Sequence, residues 1–159
     1  MPKTWFRASS LAVPVCQVFE RRDNDMRPLR VGERVLGSFI LPPFQRPPVW
    51  TRAQQIRLIE SMWAGLPIGS YVYNQTWTYQ HPCDLWLIDG QQRITSILAY
   101  VADEFPVHGY RWSQITRPEQ LGFELAPMSA FQMSSESEQE CRDIYDRLAY
   151  GGTAHKRRG

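Results

Sequence analysis

In the run LIDGQQRITSI at 87–97, Asp89, Gly90, Gln91, Gln92 and Arg93 form a short polar loop between an apolar strand and an apolar-striped helix. Asp89 is placed to cap that helix, and Gly90 lets a ligand come close to the backbone. Gln91, Gln92 and Arg93 offer donors at the helix's positive end, where a phosphate fits. A second reading stays open, in which Arg93 pairs with a carboxylate and the glutamines are solvent-facing helix starters.

Another polar signal lies upstream, in LPPFQRPPVW at 41–50. Proline fixes its own φ and biases its predecessor towards extended geometry, so Gln45 and Arg46 are displayed by a stiff segment between two proline pairs. Phe44 and Trp50 read as anchors at its ends; the alternative is a polyproline ligand for a recognition domain. Near the end of the chain, Gly151, Gly152 and Thr153 form either a helix C-cap with its exit turn or a backbone surface that passes close to phosphate or sugar.

These loops need elements to hold them. Ile94, Ile97, Leu98 and Val101 recur at i, i+3, i+4 and i+7, one face of a helix. Asp89 with Gln92 reads as a capping pair, which predicts a helix beginning at Gly90 after a buried strand over 85–88. Upstream, 13–19 reads as an edge strand interrupted by Pro14, and 39–41 as a short strand entering the proline loop. Thr51 with Gln54 starts a helix carrying Ile56, Ile59 and Met62, stopped by Gly65 and Pro67. A strand over 71–77 puts Tyr71, Tyr73 and Trp77 on one face, as a packed sheet surface or a stacking platform for bases. The stretch 107–125 predicts an irregular crossover in which Pro118 can start a short helix. Ser135 with Glu138 predicts a last helix with Cys141, Ile144, Tyr145 and Leu148 on its buried side.

With 159 residues, 43% of them hydrophobic, one domain over 1–153 buries a sufficient core without metal or disulfide, leaving a basic tail at 154–159. The net charge of +2, from 18 basic and 16 acidic side chains, does not demand nucleic acid. Arg21, Arg22, Arg27, Arg30 and Arg34 concentrate positive charge, but Asp23, Asp25 and Glu33 are interspersed, so a phosphate-facing patch and an ordinary solvated face both fit. Cys16, Cys83 and Cys141 are odd in number and widely spaced, which suggests neither a disulfide framework nor a zinc site. The chain carries no signal segment and no apolar run of transmembrane length, so a cytoplasmic protein without membrane contact is expected.

The proline loop, the helix over 54–61, the GLPIG run at 65–69 and LIDGQQRIT at 87–95 together resemble the N-terminal domain of GmrSD-type modification-dependent restriction enzymes. They also resemble plasmid fertility-inhibition proteins of the Osa type, both within the ParB/sulfiredoxin-like superfamily. The resemblance spans roughly residues 36 to 155. It implies a compact α/β fold with a small mixed sheet and flanking helices, and it implies hydrolysis of ATP or another nucleoside triphosphate, with DNase activity in some members. By motif match, Gln45 and Arg46 face the phosphates, Asp89 anchors the loop, and Gln91 and Arg93 contact the nucleotide or the scissile phosphate, with Gly90 and Gln92 in the same loop. Gly151, Gly152, Thr153 and His155 match a distal element that closes the site from the other side.

Metal-assisted hydrolysis with Mg²⁺ or Mn²⁺ would use Asp89 or Glu60 as carboxylate ligands, Glu60 being the weaker candidate because a mid-helix glutamate usually faces solvent. One departure stands out: relatives carry asparagine before the distal glycine pair, where this chain has Ala149. Two functions are therefore expected in competition. One is a nucleoside triphosphatase with DNA-nicking activity; the other is a catalytically impaired nucleotide- or DNA-binding inhibitor of a partner protein in DNA restriction or transfer.

Overall fold

Strand β4 (Ser70–Asn74) shows how the core forms, because successive side chains point to opposite faces and both faces are buried. Tyr71 packs with Phe39 and Tyr73 on one side, while Val72 joins Ile40, Trp86 and Ile88 on the other. A sheet apolar on both faces must be covered by helices on both. The computed structural model describes residues 8–19 and 26–150, and it has this architecture: an α/β domain with a small mixed sheet and flanking helices.

The sheet runs β1 (Ala8–Pro14), β6 (Pro127–Met133), β4, β5 (Leu87–Asp89). β1 is antiparallel to β6, β6 parallel to β4, and β4 antiparallel to β5. A separate hairpin, β2 (Arg34–Leu36) and β3 (Phe39–Leu41), docks beside β5 through an Ile40–Trp86 bridge and the Ile40 N–H to Leu85 C=O bond of 2.9 Å. Its turn requires Gly37, whose φ is +57° and where a Cβ would lie 2.0 Å from the Val18 carbonyl oxygen.

Helices α1 (Arg52–Trp63), α2 (Gln91–Val101) and α3 (Arg117–Glu124) bury Ile59, Ile94, Ile97 and Phe123 against one face of the sheet. On the other face, α4 (Glu138–Tyr150) buries Cys141, Ile144 and Tyr145. The capping box of α1 is formed as expected from Thr51 and Gln54, and Gly65 at φ +72° follows its end. Pro118 does lie in the first turn of a short helix, itself capped by Thr116 and Glu119.

Several boundaries differ from expectation. The edge strand expected over 13–19 is mostly a 3-10 turn, Val15–Val18; the edge strand β1 lies before it and shares only Val13 and Pro14 with the expected range. Strand β4 stops at Asn74, which leaves Trp77 outside it and 90% exposed. Tyr71 is 1% exposed, so these aromatics form no stacking platform. Leu85 has φ +63° and cannot start β5, which begins two residues later. Helix α4 is capped two residues later than expected: the Glu140 N–H bonds Ser137 Oγ at 3.2 Å, while the Ser137 N–H bonds Ser135 Oγ and Ser135 Oγ donates to the Glu140 carboxylate, so the reciprocal box expected from Ser135 and Glu138 is not formed. Leu148 is exposed and falls off its buried side.

Candidate functional site

The end of β5, the proline loop and the last turns of α4 meet in a cleft of about 210 Å³, lined among others by Gln45, Arg46, Asp89, Gln91, Arg93 and Ala149. The two polar loops singled out by sequence therefore face one another, although more than 40 residues separate them. Three side chains fasten the walls. Gln45 Nε2 donates to the Leu87 carbonyl at 2.7 Å and more weakly to that of Ile88 at 3.3 Å. Gln92 Oε1 accepts from the N–H groups of Val49 at 3.2 Å and Trp50 at 3.1 Å. The Tyr145 hydroxyl accepts from the Arg46 N–H at 3.3 Å, which brings α4 against the loop.

The start of α2 is the chemical centre of the cleft. Gly90, at φ +106°, is its N-cap, and no side chain caps the helix. This corrects the expectation that Asp89 caps a helix starting at Gly90: Asp89 closes β5, and its carboxylate instead meets Arg93 Nη2 at 3.4 Å. The glycine also has another reason. A Cβ at position 90 would lie 2.5 Å from Tyr71 Cβ, so packing against β4 demands glycine whether or not a ligand approaches. An α-helix leaves its first N–H groups without intrahelical partners, and these carry the positive end of the dipole. At α2 they open beside two arginines.

Arg93 donates through Nη2 to the Ser70 carbonyl and to Asp89, while its Nε is buried with no partner. Gln91 is 7% exposed and its Nε2 is likewise buried and unpartnered. A buried donor left unmade costs about 1–3 kcal/mol, so this amide is a group awaiting an acceptor. Arg46 is exposed and its guanidinium lies 4.7 Å from the centre of the Tyr150 ring, a cation–π contact that parks it at the rim. Asp89, with 44% of its side chain exposed, is the carboxylate lining the cleft.

Glu60 is not there. It lies on α1 in a separate hollow with Arg57, Trp63 and His108. Among the described residues no group of three or more His, Cys, Asp or Glu is assembled to hold a metal ion. Asp89 alone suits an ion that arrives already bound to phosphates, since Mg²⁺ is commonly held by one or two carboxylates plus phosphate oxygens. Gly151, Gly152, Thr153 and His155 lie outside the described residues, as do Arg21 and Arg22. Arg27 faces no ligand, because it is buried and bonded twice to Glu33, at 2.8 and 2.6 Å. Arg30 pairs with Glu138 on the surface.

Sequence reasoning missed Tyr145, which reads as one more apolar position of a helical stripe; only its hydroxyl among aliphatic neighbours hinted at a polar task. A larger groove of about 540 Å³ runs between β1, β6 and the turn after α1, but no charged side chain lines it.

A family model described as the N-terminal domain of the GmrSD restriction endonuclease matches residues 28–154. Comparison with curated proteins and with solved structures gave no match. The matched span contains all three walls of the cleft.

Proposed function

The chain belongs to the GmrSD restriction endonuclease N-terminal domain family, and on that premise we propose that its cleft binds the phosphates of a nucleoside triphosphate and hydrolyses it with Mg²⁺ or Mn²⁺. The observation that carries this reading is the uncapped start of α2 opening beside Arg46 and Arg93, with the Gln91 amide buried there without a partner. An array of backbone N–H groups, two guanidinium groups and a free amide donor suits oxygens bearing several negative charges. It suits a neutral ligand poorly.

In this reading Arg46 leaves the Tyr150 ring to meet one phosphate, and Arg93 neutralises charge that develops on the phosphoryl oxygens as water displaces the leaving phosphate. Gln91 donates to a non-bridging oxygen. Asp89 would hold a divalent ion brought in with the phosphates, and that ion would supply polarisation of the phosphoryl group and orientation of water. Phosphodiesters present similar oxygens, so nicking of DNA is the second activity to assay. The partners are the nucleotide, DNA and a cytoplasmic protein of restriction or DNA transfer.

A second reading, binding without turnover and inhibition of such a partner, is favoured by Ala149. Its methyl lines the cleft where the family resemblance implies an asparagine amide. Phosphate release from ATP in Mg²⁺ or Mn²⁺ decides between the two. Turnover that Asp89→Asn lowers at least about tenfold, as expected when a metal ligand is lost, supports the first. ATP binding without release, with release gained in Ala149→Asn, establishes the second. No binding of any nucleotide refutes both.

A further inference from the structure

Two adjacent glutamines open α2, and the structure gives them different surroundings. Gln91 keeps a buried donor unpartnered, whereas the side-chain oxygen of Gln92 already accepts two hydrogen bonds from the opposite wall. Those two donors are the only backbone N–H groups of residues 47–50. Pro47 and Pro48 have no N–H, so between Arg46 and Thr51 the backbone offers only the amides of Val49 and Trp50, and one oxygen takes both. Gln92 sits in the first turn of a helix fixed by its buried stripe, and Arg46 lies three residues before Val49 on a segment stiffened by proline.

We propose that Gln92 is a positioning residue that sets where Arg46 stands relative to the start of α2, and that it makes no ligand contact itself. This inference rests on the phosphate-binding reading of the cleft. The brace joins Gln45, which ties the same loop to β5, and Tyr145, which holds the Arg46 N–H from α4. Of the three, Gln92 alone connects the loop to the helix whose N-terminus faces the ligand.

The test is a double-mutant cycle of Gln92→Leu and Arg46→Met, read by calorimetric titration with ATP in Mg²⁺, together with amide hydrogen exchange of the ligand-free proteins. Val49 is 76% exposed, so its freed N–H turns to water and Gln92→Leu folds. Gln92→Leu alone should weaken ATP binding about tenfold, within the range for coupled neighbours, and by less than about twofold when Arg46 is already methionine. The Val49 and Trp50 amides should exchange faster in Gln92→Leu. An equal loss in both backgrounds means that Gln92 touches the ligand directly and overturns the proposal. So does unchanged affinity in the single variant, or unchanged exchange at both amides. If the wild type binds no nucleotide while these amides still exchange faster in the variant, the brace is real. The phosphate-binding reading of the cleft has then failed, and Arg46 loses its ligand role with it.

Discussion

Replacing Arg93 by methionine separates a structural arginine from a functional one, because its contacts nearly cancel in the folded protein. The variant loses the bond to the Ser70 carbonyl, worth about 1.5–3 kcal/mol for a charged donor. It also loses the pair with Asp89, worth about 0–1 kcal/mol because both side chains are partly exposed. Against this, it removes the buried Nε that has no partner, which recovers about 1–3 kcal/mol. The balance is a loss of about 1 kcal/mol, a shift of about 2–4 °C in Tm for a chain of this size. Phosphate binding has no such compensation: each charge-assisted bond lost weakens it by about 1.5–3 kcal/mol, or roughly 10- to 150-fold. Urea denaturation and calorimetric titration with ATP in Mg²⁺, on the same preparations, measure the two quantities. A stability loss above about 3 kcal/mol with unchanged ATP affinity would show that Arg93 is a structural residue, and the assignment of the cleft would fall with it.

Two further outcomes follow from buried groups away from the cleft. Burial pushes the Glu33 carboxyl up, but bonds from Arg27, the Arg30 N–H and Trp86 more than offset this and hold its pKa below the ordinary value. Its stabilisation is therefore complete above the unfolded pKa of about 4.3 and is lost as pH falls through the lower folded value. Glu33→Gln should destabilise the neutral-pH protein by about 3 kcal/mol, since Arg27 stays buried without its counter-charge, and should flatten the acid limb of the stability curve; an unchanged acid limb excludes this account. Of the three cysteines, Cys83 and Cys141 are buried, and the Cys141 thiol is pushed far up by its hydrogen bond with Cys83 and by burial. A thiol-specific disulfide reagent should thus label Cys16 alone in the native protein and all three after unfolding, and rapid native labelling of three thiols contradicts the packing under α4.

The sequence was most informative where one element decides its own structure. The stripe Ile94, Ile97, Leu98 and Val101 and the Thr51–Gln54 box are local patterns, and both are present. Asp89 misled because two local rules compete there. An Asp before a helical stripe signals an N-cap, but the intervening Gly90 takes the cap position at positive φ and leaves Asp89 in the strand, four residues from Arg93. Strand β6 went unread because PMSAFQM has no β-branched residue and its apolar members are Met, Ala and Phe, although it lies second in the sheet and joins β1 to β4. The uses of Gln45 and Gln92 were illegible for another reason. Both bond the backbone of segments distant in sequence, and only the assembled sheet brings those carbonyl and N–H groups within reach.

That dependence bears on how the cleft responds to change. Its three walls come from 45–50, 89–93 and 145–149, and no two are neighbours in the chain, so none can form the site by local folding. The α4 wall is held by Cys141, Ile144 and Tyr145 packed on the face that also buries Ile40, Trp86 and Ile88. Trp86 is tied in turn through its indole N–H to Glu33 at 2.7 Å, and Glu33 to Arg27. A loss at this buried ion pair thus reaches the cleft through Trp86 and the adjoining strand β5, whereas Arg93 is tied to β4 through the Ser70 carbonyl. Ligand affinity and stability should accordingly separate in variants at Arg93 and move together in variants at Glu33, because Glu33 supports Trp86 and the adjoining β5 as well as the fold.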